Sequence, residues 1–204
     1  MTLGYPLAAA ILTGGQARRL GGADKSALPV GGRAILARQL DVLHAVTPHV
    51  FVVGRAPADL PPGIDVVPDR VPGAGALGGI YTAIMASPHE RTLVVGCDMP
   101  FVSEALVRRL AAEDADIVIP RTPRGREPLC AIYARTCAGK IRERIEHGEL
   151  QASDLPGGLH VVELGPDVLA ALDPGGWMLT NVNTPEDHDR ARSQADRIRR
   201  MGKG

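Results

Sequence analysis

The chain has 204 residues, 45% of them hydrophobic and 23% charged, a composition typical of one globular domain with a full hydrophobic core. Lys and Arg total 23, as do Asp and Glu, so the formal net charge is zero and gives no general attraction to nucleic acid or to an acidic membrane surface. No apolar run approaches the ~18 residues of a membrane span, and the three cysteines lack metal-type spacing. We therefore expect one cytoplasmic domain over residues 1–204.

Short apolar runs alternate with helical patterns along the chain. The runs predict buried strands at residues 7–12, 50–53, 64–67, 93–96, 117–120 and 130–134. Helices are predicted at about 33–46 and 76–87, after an N-cap at Ser103, and from Thr184-Pro185 onward. This alternation predicts an α/β fold in which helices cover both faces of a mostly parallel sheet. The Pro/Gly-rich stretches at 54–63, 68–75 and 120–128 are predicted to be loops.

A glycine-rich segment follows the first predicted strand, in LTGGQARRLGGADKSAL at residues 12–28. Gly14 and Gly15 allow the backbone to turn sharply, so that loop amides can point at phosphate oxygens. Arg19 and Lys25 add positive charge at the same place. A glycine turn with solvated basic residues is the simpler alternative, but the combination favours a phosphate-binding loop. The segment matches neither GxxxxGK[ST] nor GxGxxG.

Two aspartates follow predicted strands. Asp98 comes directly after LVVGC, at the end of a strand where ligands bind in open α/β sheets. A carboxylate there can hold Mg²⁺, which takes one or two carboxylates together with phosphate oxygens, although capping of the next helix would also explain it. Asp69 is a weaker case of the same pattern, and alone it would be a turn residue.

Asparagines and arginines supply two further candidate groups. Asn181 and Asn183 flank Val182 and would project to the same side of an extended chain, toward a metal or a sugar; capping of loops is the alternative. Arg121 and Arg126 lie in a Pro/Gly-rich segment that could clamp a second anionic substrate, or simply be an exposed loop. The six histidines show no metal or nucleophile pattern, so a hydrolase is disfavoured.

Five motifs, in order, resemble those of the molybdenum cofactor guanylyltransferases, within the Rossmann-like nucleotidyltransferases. LTGGQARRLGGADK is similar to the family's LAGGxxxRMGGxDK, GALGGI to GPLAGI, and CDMPF to CDxPF; PLCAIY fits PLxAxY, and NVNTPED fits NxNTPED. The resemblance covers almost the whole chain. It implies a three-layer Rossmann-like nucleotidyltransferase fold and a reaction in which GTP and molybdenum-bound molybdopterin give the guanine dinucleotide cofactor and pyrophosphate.

The resemblance also implies roles for single residues. The nucleotide would contact Leu12, Thr13, Gly14, Gly15, Lys25, Asp69, Gly75 and Asp98. Lys25 and Arg19 would stabilise the triphosphate, and Asp98 would hold Mg²⁺ with Asn183 as a candidate second ligand. Asn181, Asn183, Arg121 and Arg126 are candidates for the pterin side. Thr13 replaces the family's usual alanine and adds a hydroxyl where base and ribose should lie.

Several alternatives stay open at the level of sequence. LTGG keeps the second glycine of the guanine type, whereas relatives that use CTP carry TAAG, so GTP is the predicted donor. A cytidylyltransferase of the same pterin or a sugar-1-phosphate nucleotidyltransferase would need the same kind of loop. A noncatalytic nucleotide-binding carrier of the cofactor is the alternative from another class. Acceptor molybdoenzymes or their chaperones are candidate partners; nucleic acid and membrane are not.

Overall fold

A computed structural model describes residues 6–13 and 25–201 of the chain, without the side chains of Lys25 and Met201. Its strands are β1 (Leu7–Leu12), β2 (Pro29–Val30), β3 (Arg33–Ala34), β4 (Val50–Val53), β5 (Asp65–Val67), β6 (Arg91–Gly96), β7 (Ile117–Thr122), β8 (Gly125–Arg126), β9 (Cys130–Ala134) and β10 (Val161–Leu164). Its helices are α1 (Ile35–His44), α2 (Gly75–Ala86), α3 (Glu104–Ala111), α4 (Cys137–Glu146), α5 (Pro166–Leu172) and α6 (Pro185–Met201).

The main sheet of this described part has the strand order β10-β7-β9-β6-β1-β4-β5, with β8 paired to β7. β1 pairs in parallel with both β4 and β6, and β5 and β10 extend the sheet in parallel at its two edges. β9 runs antiparallel between β6 and β7. The prediction of a mostly parallel sheet is confirmed.

Alternating residues of β1 divide the core into two halves. Leu7, Ala9 and Ile11 pack with α1, α3 and α5, in a cluster that includes Leu40 and Leu106. Ala8, Ala10 and Leu12 face the other way and pack with α2 and α4. Because successive side chains of a strand point to opposite faces, a strand that is apolar throughout requires helices on both sides. The three-layer architecture is therefore confirmed.

The predicted helix starts and most predicted strands are confirmed within a few residues. Ser103 caps α3, since its Oγ accepts a hydrogen bond from the backbone N–H of Leu106 at 3.2 Å. α6 begins at Pro185, as its sequence predicts. Among the described residues, no helix is long and apolar enough to span a bilayer.

The prediction of a loop over 120–128 is wrong in part. β7 continues to Thr122 and turns back into β8, with Arg121 opposite Arg126 and Thr122 opposite Gly125. Gly125 has a φ of 127°, a left-handed conformation that glycine adopts without strain. The hairpin has little hydrophobic alternation because its arginines are exposed, so hydrophobicity alone gave no strand signal there.

The three cysteines differ in burial. Cys130 and Cys137 are buried, whereas Cys97 is partly buried at the end of β6. Burial raises the pKa of the Cys130 and Cys137 thiols to about 12 each. Neither thiol is therefore ionised at neutral pH, and neither is an activated nucleophile.

Candidate functional site

The carboxyl ends of four adjacent strands form the edge on which the candidate site lies. Backbone N–H groups of Cys97, Thr13 and Gly54 donate to the carbonyls of Leu12, Val53 and Val67, at 3.1, 2.9 and 2.9 Å. These bonds extend the contacts of β6, β1, β4 and β5 one residue beyond the strands. Asp98 and Asp69 each come two residues after their strand. The structure thus places both aspartates and Thr13 along one edge of the sheet.

Asp98 lies in a tight turn that folds back over the end of β6. Its Oδ1 lies 2.9 Å from the position that a Cβ on Gly96 would occupy, so any larger residue at 96 would displace the carboxylate. The backbone N–H of Met99 donates to the carbonyl of Gly96 at 3.3 Å. Asp98 itself is half-buried. Its side chain therefore has a defined direction at the sheet edge.

Two side chains of α1 attach this turn to the helix. Gln39 Nε2 donates to the carbonyls of Gly96 and Met99 at 2.7 and 3.1 Å, and Arg38 Nε donates to the carbonyl of Pro100 at 3.0 Å. The Arg38 guanidinium also lies over the Phe101 ring, 5.7 Å from its centroid. Sequence reasoning missed Gln39. The available signal was a single polar residue within the otherwise apolar buried face of α1.

The two asparagines reach the same place from the far end of the chain. The backbone N–H of Val182 donates to the carbonyl of Asp98 at 2.8 Å. Val182 is fully buried, whereas Asn181 is half-buried and Asn183 exposed. The segment belongs to no strand or helix, and a buried residue lies between two asparagines that are more exposed. Asn181 and Asn183 thus flank a residue that is hydrogen-bonded to Asp98.

A capping box fixes the segment at the start of α6. Asp187 Oδ2 accepts from the backbone N–H groups of Asn183 and Thr184 at 3.1 and 3.0 Å, and Thr184 Oγ1 accepts from the N–H of Asp187 at 3.1 Å. Burial favours the neutral form of Asp187. The hydrogen bonds from Arg190, Asn183 and Thr184 outweigh burial and lower the pKa of the Asp187 carboxyl. An ionised Asp187 therefore holds the backbone beside Asn183.

Asp69 connects the loop after β5 to α2. Its Oδ1 accepts from the backbone N–H of Val71 and from Thr82 Oγ1, each at 3.0 Å. Gly75 opens α2 with a φ of 59°, and the first turn of this helix has no side-chain cap. Backbone N–H groups at such a helix start favour anions. Asp69 therefore orients a helix whose N-terminus lies after the same sheet edge.

The hairpin arginines contact one carboxylate. Arg121 Nη1 and Arg126 Nε donate to the two oxygens of Glu163 in β10, at 3.0 and 2.7 Å. The hydrogen bonds from Arg126 and Arg121 lower the pKa of the Glu163 carboxyl. Because β7 runs parallel to β6, the hairpin extends from the same sheet edge as Asp98. The two arginines share one acidic partner, so the group keeps an excess positive charge.

Glu127 is a further acidic residue near Asp98 that the sequence did not single out. Burial raises the pKa of its carboxyl; Arg124 and the Thr122 hydroxyl act against that, and the charge of Asp98 adds to it. Two residues after Glu127, the carbonyl of Leu129 accepts a hydrogen bond from the backbone N–H of Gly96 in β6 at 2.8 Å. No sequence signal distinguishes Glu127 from the neighbouring charged residues of the hairpin.

The structure describes the glycine-rich segment only at its two ends, residues 12–13 and 25–28. Gly14, Gly15 and Arg19 lie outside the described residues, and Lys25 begins a 3-10 turn over Lys25–Ala27. The β2–β3 hairpin that follows packs on α6. A ring nitrogen of His188 lies 2.8 Å from the carbonyl oxygen of Pro29, and a Cβ on Gly31 would lie 2.9 Å from that of Ala195. The chain that leaves the glycine-rich segment is thus attached to the helix after Asn183.

The donor set of this site suits a hard cation that brings its own oxygen ligands. Asp98 offers carboxylate oxygens and Asn183 an amide oxygen, which are ligands that Mg²⁺ accepts. Within 6–13 and 25–201, no group of three or more His, Cys, Asp or Glu could hold a metal ion by itself. An ion at Asp98 would therefore take much of its coordination from a bound ligand, as Mg²⁺ does with substrate phosphates.

Comparison with known proteins shows one family that the chain resembles over most of its length. A family described as "MobA-like NTP transferase domain" matches residues 9–155. A molybdenum cofactor guanylyltransferase of Desulfosudis oleivorans is 30% identical over 185 residues, covering 89% of this chain and 92% of that protein. A probable molybdenum cofactor guanylyltransferase of Pelotomaculum thermopropionicum is 34% identical over 192 residues, covering 93% of each.

One similar crystal structure supports the same fold. Molybdopterin-guanine dinucleotide biosynthesis protein A from Archaeoglobus fulgidus superimposes with a TM-score of 0.76 at 25% sequence identity. The match covers 93% of this chain and 98% of that one. The match therefore extends over nearly the whole of both chains.

Proposed function

The chain belongs to the family of MobA-like NTP transferase domains, and from that membership we propose that it transfers GMP from GTP to molybdenum-bound molybdopterin. The products are the guanine dinucleotide cofactor and pyrophosphate. The names of the Desulfosudis and Pelotomaculum relatives support this donor and acceptor, as does the LTGG form of the glycine-rich segment. We infer that residues 1–204 act as one domain, because β10 joins the main sheet and α6 packs on β2.

The observation that carries the proposal is the meeting of three chain segments at Asp98. The carbonyl of Leu12, next to Thr13, accepts a hydrogen bond from the backbone N–H of Cys97. The backbone N–H of Val182 donates to the backbone carbonyl of Asp98. The end of the nucleotide-side strand, a carboxylate and the asparagine pair thus converge. A ligand with a triphosphate at one end and an acceptor phosphate on the other side would be aligned across this carboxylate.

We propose that Asp98 holds Mg²⁺, with Asn183 as a second oxygen ligand. When bound, Mg²⁺ neutralises phosphate charge where it increases in the transition state. The rigid turn at Gly96 orients the carboxylate, and the capping box at Thr184 and Asp187 holds the backbone of Asn183. These residues therefore supply orientation before any nucleotide binds.

The remaining chemistry needs positioning more than a protein nucleophile. The terminal phosphate oxygen of the pterin attacks the α-phosphorus of GTP in line, and the bond to the β-phosphate oxygen breaks as pyrophosphate departs. Lys25 and Arg19 are proposed to stabilise the triphosphate and the departing pyrophosphate. Leu12, Thr13, Gly14 and Gly15 would contact the nucleotide at the end of β1, and the buried thiols play no part.

Asp69 and Gly75 would complete the nucleotide side. Asp69 Oδ1 is engaged by Val71 and Thr82, so we assign it to shaping the loop and orienting α2 as much as to contact with GTP. The uncapped first turn of α2 after Gly75 provides backbone N–H groups for an anion.

The pterin side is proposed to include Asn181, Asn183, Arg121 and Arg126. The excess positive charge around Glu163 suits an acceptor that carries a phosphate. A cytoplasmic site of action fits the free cysteines, and acceptor molybdoenzymes or their chaperones are proposed as the recipients of the product.

Pyrophosphate release tests the proposal directly. The protein is supplied with Mg²⁺, with either GTP, CTP or UTP, and with either molybdenum-loaded pterin or a sugar 1-phosphate. We expect turnover with GTP. Turnover with CTP alone would indicate a cytidylyltransferase, turnover only with a sugar 1-phosphate would indicate a sugar enzyme, and GTP binding without release would indicate a carrier.

Asp98→Asn is the matched variant for the metal. It keeps the size of the side chain and removes the charge that attracts Mg²⁺, so we expect transfer to fall by about 100-fold or more. Asp114→Asn is the control, because Asp114 is exposed just before β7, at the opposite edge of the sheet from Asp98, and this variant should transfer GMP at the wild-type rate. Full activity of Asp98→Asn would exclude Asp98 as a metal ligand.

A further inference from the structure

We propose that Gln39 is a positioning residue for Asp98, and that its amide sets the shape of the turn that presents this carboxylate to the metal-bound nucleotide. The inference rests on the proposed function of Asp98. It concerns a residue outside the five motifs, on the helix α1.

The position of Gln39 on α1 is one where an apolar residue is expected. Ile35, Leu36, Leu40 and Leu43 form the buried face of the helix, and Gln39 belongs to the same face with 1% of its surface exposed. The helix period therefore places it against the sheet. Glutamine is rarely buried to this extent without a specific hydrogen-bonding task.

The task here is to donate to two carbonyls. The carbonyls of Gly96 and Met99 lie on either side of Cys97 and Asp98, and Gln39 Nε2 donates to both, at 2.7 and 3.1 Å. Both partners are acceptors, so the amide must present its NH₂ group to them. One side chain thus joins the two ends of the segment that contains Asp98.

The other polar atom of the Gln39 amide is its oxygen, Oε1. Among the described residues, Gln39 Oε1 is buried and has no hydrogen-bond partner. An unpaired buried acceptor opposes folding, and a methionine at this position would avoid it. A local stability defect of this kind is expected where a residue serves a functional geometry. A methionine would lack the two hydrogen bonds that the glutamine donates to the carbonyls of Gly96 and Met99.

Arg38 does not perform the same task. It donates to the carbonyl of Pro100, beyond the turn, and lies over Phe101. The carbonyl of Asp98 itself is engaged by Val182. Gln39 connects the residues before and after Asp98, which Arg38 does not. Partners that orient a metal ligand in this way change metal affinity by about 10-fold to 100-fold when they are removed.

The test compares the GTP affinity of the whole protein with excess Mg²⁺ and with EDTA, by isothermal titration calorimetry. The ratio of the two dissociation constants measures how much the metal strengthens nucleotide binding, and it needs no turnover. We expect Gln39→Met to lower this ratio by about tenfold while GTP affinity in EDTA is unchanged. Asp98→Asn should lower it at least as far.

Arg91→Met is the matched control. Arg91 is a buried polar side chain at the start of β6, the strand that ends at Gly96. Like Gln39, it donates to two carbonyls, those of Ala111 and Glu113, at 3.2 and 2.6 Å. Its loss should lower thermal stability and leave the ratio unchanged. A Gln39→Met protein with the wild-type ratio would overturn the proposal, because Gln39 would then act on stability only.

The remaining outcomes are also informative. Gln39→Leu is the second apolar variant, and failure of both variants to fold would assign Gln39 to stability and overturn the proposal. If the wild type binds GTP with metal enhancement but transfers no GMP, the proposed function fails while the Gln39 inference is still decided by the ratio. A wild-type ratio of one would overturn the role of Gln39 and that of Asp98 together.

Discussion

Individual side chains at the sheet edge hold the ends of neighbouring strands together. Thr13 follows β1, and its hydroxyl contacts the carbonyls of Val53 and Arg55 at 3.1 and 2.6 Å. A hydroxyl has one proton to donate, so these carbonyls compete for it. The Thr13 hydroxyl thus connects the ends of β1 and β4. An effect of this hydroxyl on the choice of base can be measured apart from this structural role.

Thr13→Val separates these two effects. Valine keeps the shape and removes the hydroxyl, so we expect a loss of about 1 kcal/mol in the free energy of unfolding and no change in the preference for GTP over CTP. Urea denaturation and competition between the two nucleotides would measure the two quantities. A shift of preference toward CTP would show that the hydroxyl reads the base.

At the scale of elements, the close approach of α2 to its surroundings depends on small residues. A Cβ on Gly78 would lie 2.9 Å from the carbonyl oxygen of Val71 and 2.9 Å from the Cβ of Ala74. Both belong to the segment between Asp69 and the start of α2. The backbone carbonyl cannot move without disturbing the turn that Asp69 stabilises.

Gly78→Ala is therefore expected to destabilise the protein by about 1–3 kcal/mol through overpacking, and to weaken GTP binding. Gly139→Ala in α4 is the matched control, since nothing lies within 4 Å of its added Cβ. Alanine favours the helix there, by up to about 1 kcal/mol. Thermal unfolding of the two variants gives the comparison, and equal effects would contradict the packing argument.

The contact between the β7–β8 hairpin and β10 should depend on pH. The pKa of Glu163 is lowered in the folded state by its hydrogen bonds to Arg126 and Arg121, so its contribution is present above the unfolded pKa of about 4.3. It is lost as pH falls through the folded pKa. The stability difference between wild type and Glu163→Gln should shrink between neutral pH and about pH 3.

Urea unfolding at several pH values measures this difference. An Arg121→Gln/Arg126→Gln double variant should lose the same pH-dependent component, because it removes both partners of Glu163. A difference that grows in acid would contradict the ionised pairing.

Three elements, α4, β10 and α5, were not predicted from the sequence, and for a common reason. α4, β10 and α5 are short or highly charged, and few of their residues are buried: Cys137, Ala138 and Ile141 of α4, Leu164 of β10 and Leu169 of α5. Their stability comes from contact with the sheet, and hydrophobic period gives little signal for such segments. β1, β4 and β6 were predictable because they are buried along their whole length.

At the scale of the whole molecule, a small third cluster of buried residues joins the chain segments that surround the proposed site. It contains Val30, Ile35, Phe101, Val182, Ala191 and Ala195. Through it, β2, the start of α1, the residue after the Asp98 turn and α6 form one unit. Ligand binding at the edge should therefore stabilise the whole fold.

GTP with Mg²⁺ at about 100 times its dissociation constant should add about 2.7 kcal/mol of stability, which raises the Tm by roughly 5–10 °C for a chain of this size. CTP at the same concentration should raise it less. Differential scanning fluorimetry with each nucleotide, and with Asp98→Asn as the control, makes the measurement. Equal shifts for GTP and CTP would contradict the predicted preference for guanine.

The sequence by itself determined the fold class, the principal strands and five motifs that predict the proposed site, because buried strands and phosphate-binding loops require particular residues at adjacent positions. Only the tertiary structure decided which residues support Asp98. Gln39 and Val182 lie 59 residues before and 84 residues after it, and hydrogen bonds across such separations leave no local pattern in the chain. The same holds for Glu163, whose pairing with the hairpin arginines arises only when β10 adds to the sheet beside β7.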